Sequence, residues 1–312
     1  MPTSLVLSDA NHRDAIEREL RWLLEAQPVW SSGIDSDCVP LMKICNGSVT
    51  EIADYLANEW AWHGAPKRLG RRFESLLTAL FEQSECVKLL GHGIVVKDQK
   101  QTIGELDYLL ELPDRILHLE VAIKFYAGIG TADDRGKTHA WIGPSCQDRL
   151  DLKIHHLRTH QLVMSQTALG RQSIADEDLI QPDASLGLIF GYLIEPWADV
   201  GHFPVGMNAS TPAYWTTYRE ARTAMRHLSR PYSTDYGWTC IERDQWIAPY
   251  FGQANLPLVI KSLDKPAQAD CYALTSRRGL TTEKLRLFVM HDDYATEAYQ
   301  AMQDGFGNYQ NL

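Results

Sequence analysis

The sequence predicts a mixed α/β (α+β) fold with a central sheet of mixed strand direction that is flanked by helices. Three observations support this. Apolar residues recur at helical spacing in the first 83 residues, residues 87–126 contain three segments with strand patterns, and a near-continuous apolar run follows at 186–194. Antiparallel hairpins, then a helical crossover and a strand buried on both faces, are typical of such a sheet.

The length favours more than one structural region. At roughly 150 residues per domain, 312 residues correspond to about two domains. The composition changes near Pro66 and again after Pro196. We therefore predict an N-terminal helical region at 1–65, a core at 66–195, and a smaller C-terminal α+β region at 196–312.

Three helices are predicted in the first quarter of the chain. The first begins at Asp9, and its apolar residues share one face. Ser48 and Glu51 form a capping-box pattern that starts the second helix. The third is predicted from Pro66 to about Gln83.

The clearest strand pattern lies at Leu117–Phe125, where every second residue is apolar. The residues between include His118, Glu120 and Lys124. Alternation of this kind predicts a strand with one apolar face and one polar face. The neighbouring elements are predicted as strands at 87–96 and 104–112, a helix at 147–169, and a strand at 186–194.

Charge and composition exclude several classes of protein. A net charge of -10 excludes a protein that wraps nucleic acid with its whole surface, so nucleic acid would need a local positive patch or bound metal ions. No apolar run approaches the roughly 18 residues of a membrane-spanning helix. The amino terminus has no signal-peptide pattern, so we expect a cytoplasmic protein without a membrane partner.

Carboxylates on the second and third strands are candidate ligands for a cation. Glu105 and Asp107 lie on one face of their strand, and pairing with the next strand would bring Asp107 close to Glu120. With Lys124 beside them, these oxygen ligands suit Mg²⁺ or Mn²⁺. His118 shares the face of Glu120, and we interpret it as a hydrogen-bonded structural histidine. The alternative is that His118 supports Glu120 at the site as its partner.

The order of these motifs resembles a known superfamily. Glu74 in a helix, G-E-L-D ending at Asp107, E-V-A-I-K from Glu120 to Lys124, then a helix and a strand resemble the PD-(D/E)XK nucleases. More narrowly, GELDYLL, HLEVAIKFY, GPSCQDRLDLK and GYLIEP resemble an uncharacterised bacterial family, a domain of unknown function placed in that superfamily. The resemblance is most specific over residues 66–195.

The resemblance implies a restriction-endonuclease-like core and metal-dependent hydrolysis of phosphodiester bonds in DNA. It implies that Asp107, Glu120 and Glu74 are metal ligands with catalytic roles, and that Lys124 is the catalytic lysine. The implied cofactor is Mg²⁺ or Mn²⁺. A homo-oligomer is compatible with these patterns.

One departure from the superfamily pattern supports an alternative function. The lysine of the superfamily follows its acidic partner by two residues, but Ala122 occupies that position here and Glu120 lies four residues before Lys124. Their Cα atoms would be roughly 13 Å apart along a strand instead of about 7 Å. The alternative is therefore a catalytically inactive protein of this fold that binds nucleic acid or a protein partner. An enzyme acting on a small phosphorylated metabolite would use the same carboxylates in an enclosed pocket.

Basic and polar residues near the core are candidate contacts for nucleic acid. Arg149 and Lys153 are spaced for one face of the helix after the sheet, and Gln161 lies farther along it. Arg71 and Arg72 precede Glu74. Lys and Arg at such positions neutralise phosphates. The alternative for both groups of residues is that they lie on helix faces that contact only solvent.

Overall fold

The chain has a mixed α/β fold with a large sheet of mixed strand direction, which confirms the predicted fold class. Among the residues described here, no helix is long and apolar enough to cross a membrane. The structure is a computed structural model that describes residues 9–33, 48–199, 211–254 and 269–304.

The chain forms two compact units, and each consists of two segments. Unit 1 comprises Met1–Ile123 and Leu157–Ile189, and unit 2 comprises Lys124–His156 and Phe190–Leu312. The division into three regions that the sequence favours stays a prediction. The boundaries of the two units fall within continuous secondary structure, which composition does not reveal.

Helices begin close to the residues that the sequence indicates. Ser48 caps the second helix, because its Oγ accepts a hydrogen bond from the backbone N–H of Glu51 at 3.3 Å. The helix predicted at 147–169 is interrupted by a π-helical turn. The helical segments are α1 (Asp9–Glu25), α2 (Val49–His63), α3 (Leu69–Glu82), α4 (Ala132–Arg135), α5 (Leu150–His156), the π-helical turn (Leu157–Gln161), α6 (Leu162–Met164), α7 (Ala168–Asp176), α8 (Tyr218–Ser229) and α9 (Tyr294–Gln303).

The strands predicted around the core are present, with small shifts at their ends. The three strands of the predicted hairpins and the long apolar strand are the longest in the sheet. The strands are β1 (Trp30–Ser31), β2 (Lys88–Asp98), β3 (Gln101–Glu111), β4 (Ile116–Gly128), β5 (Trp141–Ile142), β6 (Ala184–Pro196), β7 (Ala213–Thr217), β8 (Tyr236–Ile241), β9 (Phe251–Gly252), β10 (Asp270–Ser276), β11 (Thr281–Thr282) and β12 (Arg286–Met290).

In unit 1, an antiparallel sheet is covered by helices. β2 pairs with β3, and β3 pairs with the first half of β4. Apolar residues of β2 and β3 pack with Met164 and Ile174 from the segment after the π-helical turn. Both faces of the first half of β4 are buried, since His118 and Glu120 are as inaccessible as Leu119. The polar face predicted for this strand therefore lies inside the protein.

In unit 2, a sheet of mixed direction packs against α8. β7 runs parallel to β6 and β12, while β10 runs antiparallel to β12 and β8. The buried face of α8 contributes Ala221, Met225 and Leu228 to an apolar cluster with residues of these strands. Arg286 and Glu283 form a fully buried ion pair at 2.6 Å.

Candidate functional site

Asp107 and Glu120 meet where the hydrogen-bond ladder between β3 and β4 ends. The ladder is regular as far as the pair Tyr108 and Leu119. One step farther, the backbone N–H of Val121 donates to Oδ2 of Asp107 at 3.0 Å. The backbone N–H of Asp107 donates to Oε1 of Glu120 at 3.3 Å. Each carboxylate thus bonds the opposite strand, and the two acids lie side by side.

The carboxylate of Glu120 is buried and held by protein donors. Its side chain is 0% exposed. Nε2 of His118 lies 2.8 Å from Oε1, and the amide nitrogen of Gln161 lies 2.5 Å from Oε2. Both oxygens are therefore engaged by the protein. In this arrangement Glu120 holds the strands and Asp107 in place and does not face solvent.

Gln161 reaches Glu120 from the last residue of the π-helical turn. A π-helical turn adds a residue to the helical repeat and redirects the side chains after it, and such turns are frequent at functional sites. The regular helical pattern of the sequence does not reveal this insertion. Gln161, predicted as a contact for nucleic acid, is placed beside the carboxylate pair.

His118 connects this network to β6. Its Nε2 faces Glu120, and its Nδ1 lies 3.4 Å from the Oγ of Ser185. The side chain is 0% exposed. His118 is therefore a buried histidine with a hydrogen-bonding partner on each ring nitrogen, and one of these partners is Glu120.

Asp107 and Glu74 line one cleft in unit 1, between α2, α3 and the β2–β3 hairpin. Its volume is about 470 Å³. Arg71 lies at the cleft, together with His63 and His92. The rim of a nuclease cleft is expected to be basic, whereas this lining is mainly acidic. Its carboxylates are Glu59, Glu74, Glu82, Glu105 and Asp107.

The environment of Glu74 makes its charged form less favourable. Although the residue is exposed to the cleft, surrounding atoms withdraw part of the carboxyl from water, and this burial raises its pKa. The charge of Glu105 raises the pKa further, and Arg71 acts in the opposite direction. A cation bound in the cleft would relieve this repulsion.

The donors in the cleft suit a hard divalent cation only in part. Mg²⁺ is commonly held by one or two carboxylates and completes its coordination with water and substrate phosphates. Asp107 and Glu74 offer such oxygens to the cleft. Over the described ranges, no three His, Cys, Asp or Glu residues are grouped closely enough to hold a metal ion. Glu120, the other predicted ligand, has its oxygens engaged with protein donors.

Lys124 belongs to unit 2, where it forms an ion pair. Its Nζ lies 2.5 Å from Oδ2 of Asp148, and the hydroxyl of Tyr126 donates to Oδ1 of Asp148 at 3.1 Å. Lys124 and Asp148 are each about one third exposed. Burial and the charge of Asp148 raise the pKa of Tyr126, which therefore stays protonated. Asp148 belongs to the GPSCQDRLDLK motif but was not among the residues predicted for the site.

Two arginines predicted to contact phosphates, Arg72 and Arg149, are buried, and this corrects the prediction that they bind nucleic acid at the surface. In unit 1, Arg72 is 4% exposed and pairs with Glu19 at 2.8 Å. In unit 2, Arg149 is 3% exposed, and it pairs with Asp151 and donates to two backbone carbonyls near the end of α9. Neither guanidinium is available to a phosphate in this arrangement, because each already donates hydrogen bonds to acceptors inside the protein.

The remaining predicted contacts are more accessible. Arg71 is exposed at the cleft, and Lys153 is half-buried in α5. Arg149 directly precedes α5, and its carbonyl accepts a hydrogen bond from the backbone N–H of Lys153 at 3.0 Å. The guanidinium of Arg149 is buried, so it does not form an exposed basic stripe with Lys153.

Comparisons with known proteins identify a family without an assigned activity. No curated protein and no solved structure matches the chain. A family model described as "Domain of unknown function (DUF1853)" matches residues 18–290. Because this match spans most of the 312 residues, the chain belongs to the DUF1853 family.

Proposed function

We propose that this protein is a metal-dependent nuclease of the PD-(D/E)XK type that hydrolyses phosphodiester bonds in DNA. The observation that carries the proposal is the position of Asp107. Its backbone N–H donates to Glu120 at the end of the β3–β4 ladder, and Asp107 lines the same cleft as Glu74. The resemblance to the superfamily predicts these three acids in this order.

Asp107 and Glu74 are the residues that would hold Mg²⁺ or Mn²⁺. A bound divalent cation stabilises charge on a phosphate and lowers the pKa of a bound water. Without a cation, the acidic lining of the cleft repels the phosphates of DNA. Glu120 acts as a positioning residue, because its carboxylate accepts the backbone N–H of Asp107.

Lys124 is proposed as the catalytic lysine because the resemblance to the superfamily implies that role for it. An ammonium group orients an attacking water or stabilises negative charge in the transition state. The ion pair with Asp148 fixes the position of this group. Lys124→Met should therefore lower the cleavage rate about 100-fold or more, while its effect on stability stays within about 1 kcal/mol, as for an exposed ion pair.

Cleavage of supercoiled plasmid DNA in Mn²⁺ or Mg²⁺ tests the proposal. We expect nicking by the parent protein and a loss of at least about 100-fold in Asp107→Asn, since the change removes a charge that the cation requires. Asp98→Asn, an exposed aspartate at the end of β2, is the matched control and should cleave like the parent. Equal nicking by Asp107→Asn and the parent would show that the activity comes from a contaminant.

A second function is favoured by the burial of Glu120. Since both of its oxygens are engaged by the protein, the chain can retain the fold as an inactive protein that binds nucleic acid or a protein partner. Binding of DNA in EDTA, with no cleavage of duplex or single-stranded DNA in either metal, would favour this function over hydrolysis.

A further inference from the structure

Four arginines form a stripe along α8 in unit 2. Arg219, Arg222, Arg226 and Arg230, the last at the C-terminal end of the helix, are exposed. At about 100° per residue, their side chains fall within an arc of roughly 80°. This stripe is a concentrated positive surface on a protein whose net charge is -10.

The orientation of the stripe is fixed by the buried side of α8. Ala221, Ala224, Met225 and Leu228 pack into the apolar cluster of unit 2. Their directions are centred roughly 150° from those of the arginines around the helix. The guanidinium groups therefore point away from the core, and the helix cannot turn them inward without exposing the apolar cluster.

Three of the arginines lack an acidic partner within the described segments. Arg219 is near Asp292 at 4.0 Å, whereas Arg222, Arg226 and Arg230 form no ion pair with any residue that the structure describes. Like charges four residues apart destabilise a helix by about 0.2–0.5 kcal/mol per pair. Favourable interaction with the helix dipole explains a cation in the last turn, but it does not explain Arg222.

The chemistry of the stripe matches a row of phosphates. Guanidinium groups bind phosphate oxygens through two parallel hydrogen bonds. Successive arginines at four-residue spacing are about 6 Å apart along the helix axis. The negative charges of a DNA strand follow each other at about 3.4 Å along the duplex axis. A helix that runs along the backbone can therefore place consecutive guanidinium groups near separate phosphates.

We propose that Arg222, Arg226 and Arg230 on α8 form a binding surface for the phosphate backbone of nucleic acid. A protein with this net charge needs a local positive patch or bound metal ions to bind nucleic acid, and α8 supplies such a patch outside the contacts predicted from the sequence. The proposal concerns binding only, so it stands whether or not unit 1 cleaves DNA.

The test is the salt dependence of binding to a fluorescein-labelled 30-base-pair duplex, measured by anisotropy in EDTA so that cleavage is absent. Each phosphate contact contributes about 0.9 to the slope of log K against log salt. We expect Arg222→Gln/Arg226→Gln/Arg230→Gln to reduce the magnitude of this slope by roughly 2 to 3. Affinity at 0.1 M salt should fall by roughly 100-fold or more, as this slope requires.

A control variant removes the same charge from another part of the chain. Lys97, Lys100 and Arg171 are exposed residues of unit 1, and their triple change to Gln should leave the slope within about 0.5 of that of the parent. Equal losses in both triple variants would show an effect of net charge and overturn the proposal. Absence of duplex binding by the parent, or parent-like binding by the α8 variant, would also overturn it. So would binding of the parent to vesicles with anionic lipid but not to DNA.

Discussion

His118 and Glu120 form a fully buried pair within β4, with 2.8 Å between Nε2 of His118 and Oε1 of Glu120. They are two residues apart, so they lie on the same face of the strand. Because the same Glu120 oxygen accepts the backbone N–H of Asp107, the histidine helps to fix the position of the acid that lines the cleft. The pair therefore links the core of unit 1 to its candidate site.

Replacing His118 by Ala should lower the free energy of unfolding by about 2–3 kcal/mol. The change removes a donor from a buried carboxylate and leaves a cavity, and hydrogen bonds to charged groups contribute about 1.5–3 kcal/mol. Urea unfolding measures the effect. His92→Ala, at an exposed position, is the control and should stay within about 0.5 kcal/mol of the parent. A loss below 1 kcal/mol for His118→Ala would contradict the pairing.

Arg71 and Arg72 provide a matched pair of neighbouring arginines with opposite environments. Arg72 is buried against Glu19 and lies 4.5 Å from the ring centre of Trp60, while Arg71 is exposed. Arg72→Leu should cost about 3–5 kcal/mol, since it leaves a buried carboxylate without its partner. Arg71→Leu should change the free energy of unfolding by no more than about 0.5 kcal/mol.

A double variant separates this charge effect from a loss of packing. Glu19→Leu combined with Arg72→Leu removes both charges, and such replacements are often neutral or stabilising. We therefore expect the double variant to recover most of the stability that Arg72→Leu loses, as measured by chemical denaturation. A double variant as unstable as Arg72→Leu would mean that packing of the guanidinium, and not its charge, stabilises unit 1.

The sequence predicts those parts of the fold that depend on local pattern. Ser48 caps α2 as its spacing with Glu51 indicates, and the alternation around Glu120 correctly gives a strand. The adjacency of Asp107 and Glu120 follows from the pairing of two consecutive strands. These features are encoded within short segments, so one sequence is sufficient to recognise them.

Features that depend on distant contacts were not predicted. The burial of Arg149 depends on carbonyls about 150 residues away, at Ala301 and Asp304. The π-helical turn that directs Gln161 toward Glu120 has no signature in the apolar periodicity. The spacing of the arginines on α8 is visible in the sequence, but which side of this helix faces solvent depends on the packing of unit 2.

Glu74 should make the stability of the protein depend on pH. Burial raises its pKa in the folded state, so folding is opposed by its ionisation, and stability falls as pH rises through the folded-state pKa. Glu74→Gln mimics the protonated side chain. It should be more stable than the parent at pH 7, with no difference below the pKa of an unfolded glutamate, about 4.3. Denaturation at both pH values measures this, and an advantage confined to low pH would contradict it.

Gly191 should not tolerate a side chain. Its φ is +121°, and a Cβ built on it would lie 1.8 Å from the carbonyl oxygen of Lys124. Because the obstruction is backbone, Gly191→Ala requires β6 and β4 to separate at Lys124, and we expect a loss of more than about 3 kcal/mol or failure to fold. Gly279→Ala has open space around the new Cβ and should be neutral or stabilising by up to about 1 kcal/mol. Thermal and chemical unfolding of the two variants compares them directly, and parent-like stability of Gly191→Ala would contradict the close approach of these strands.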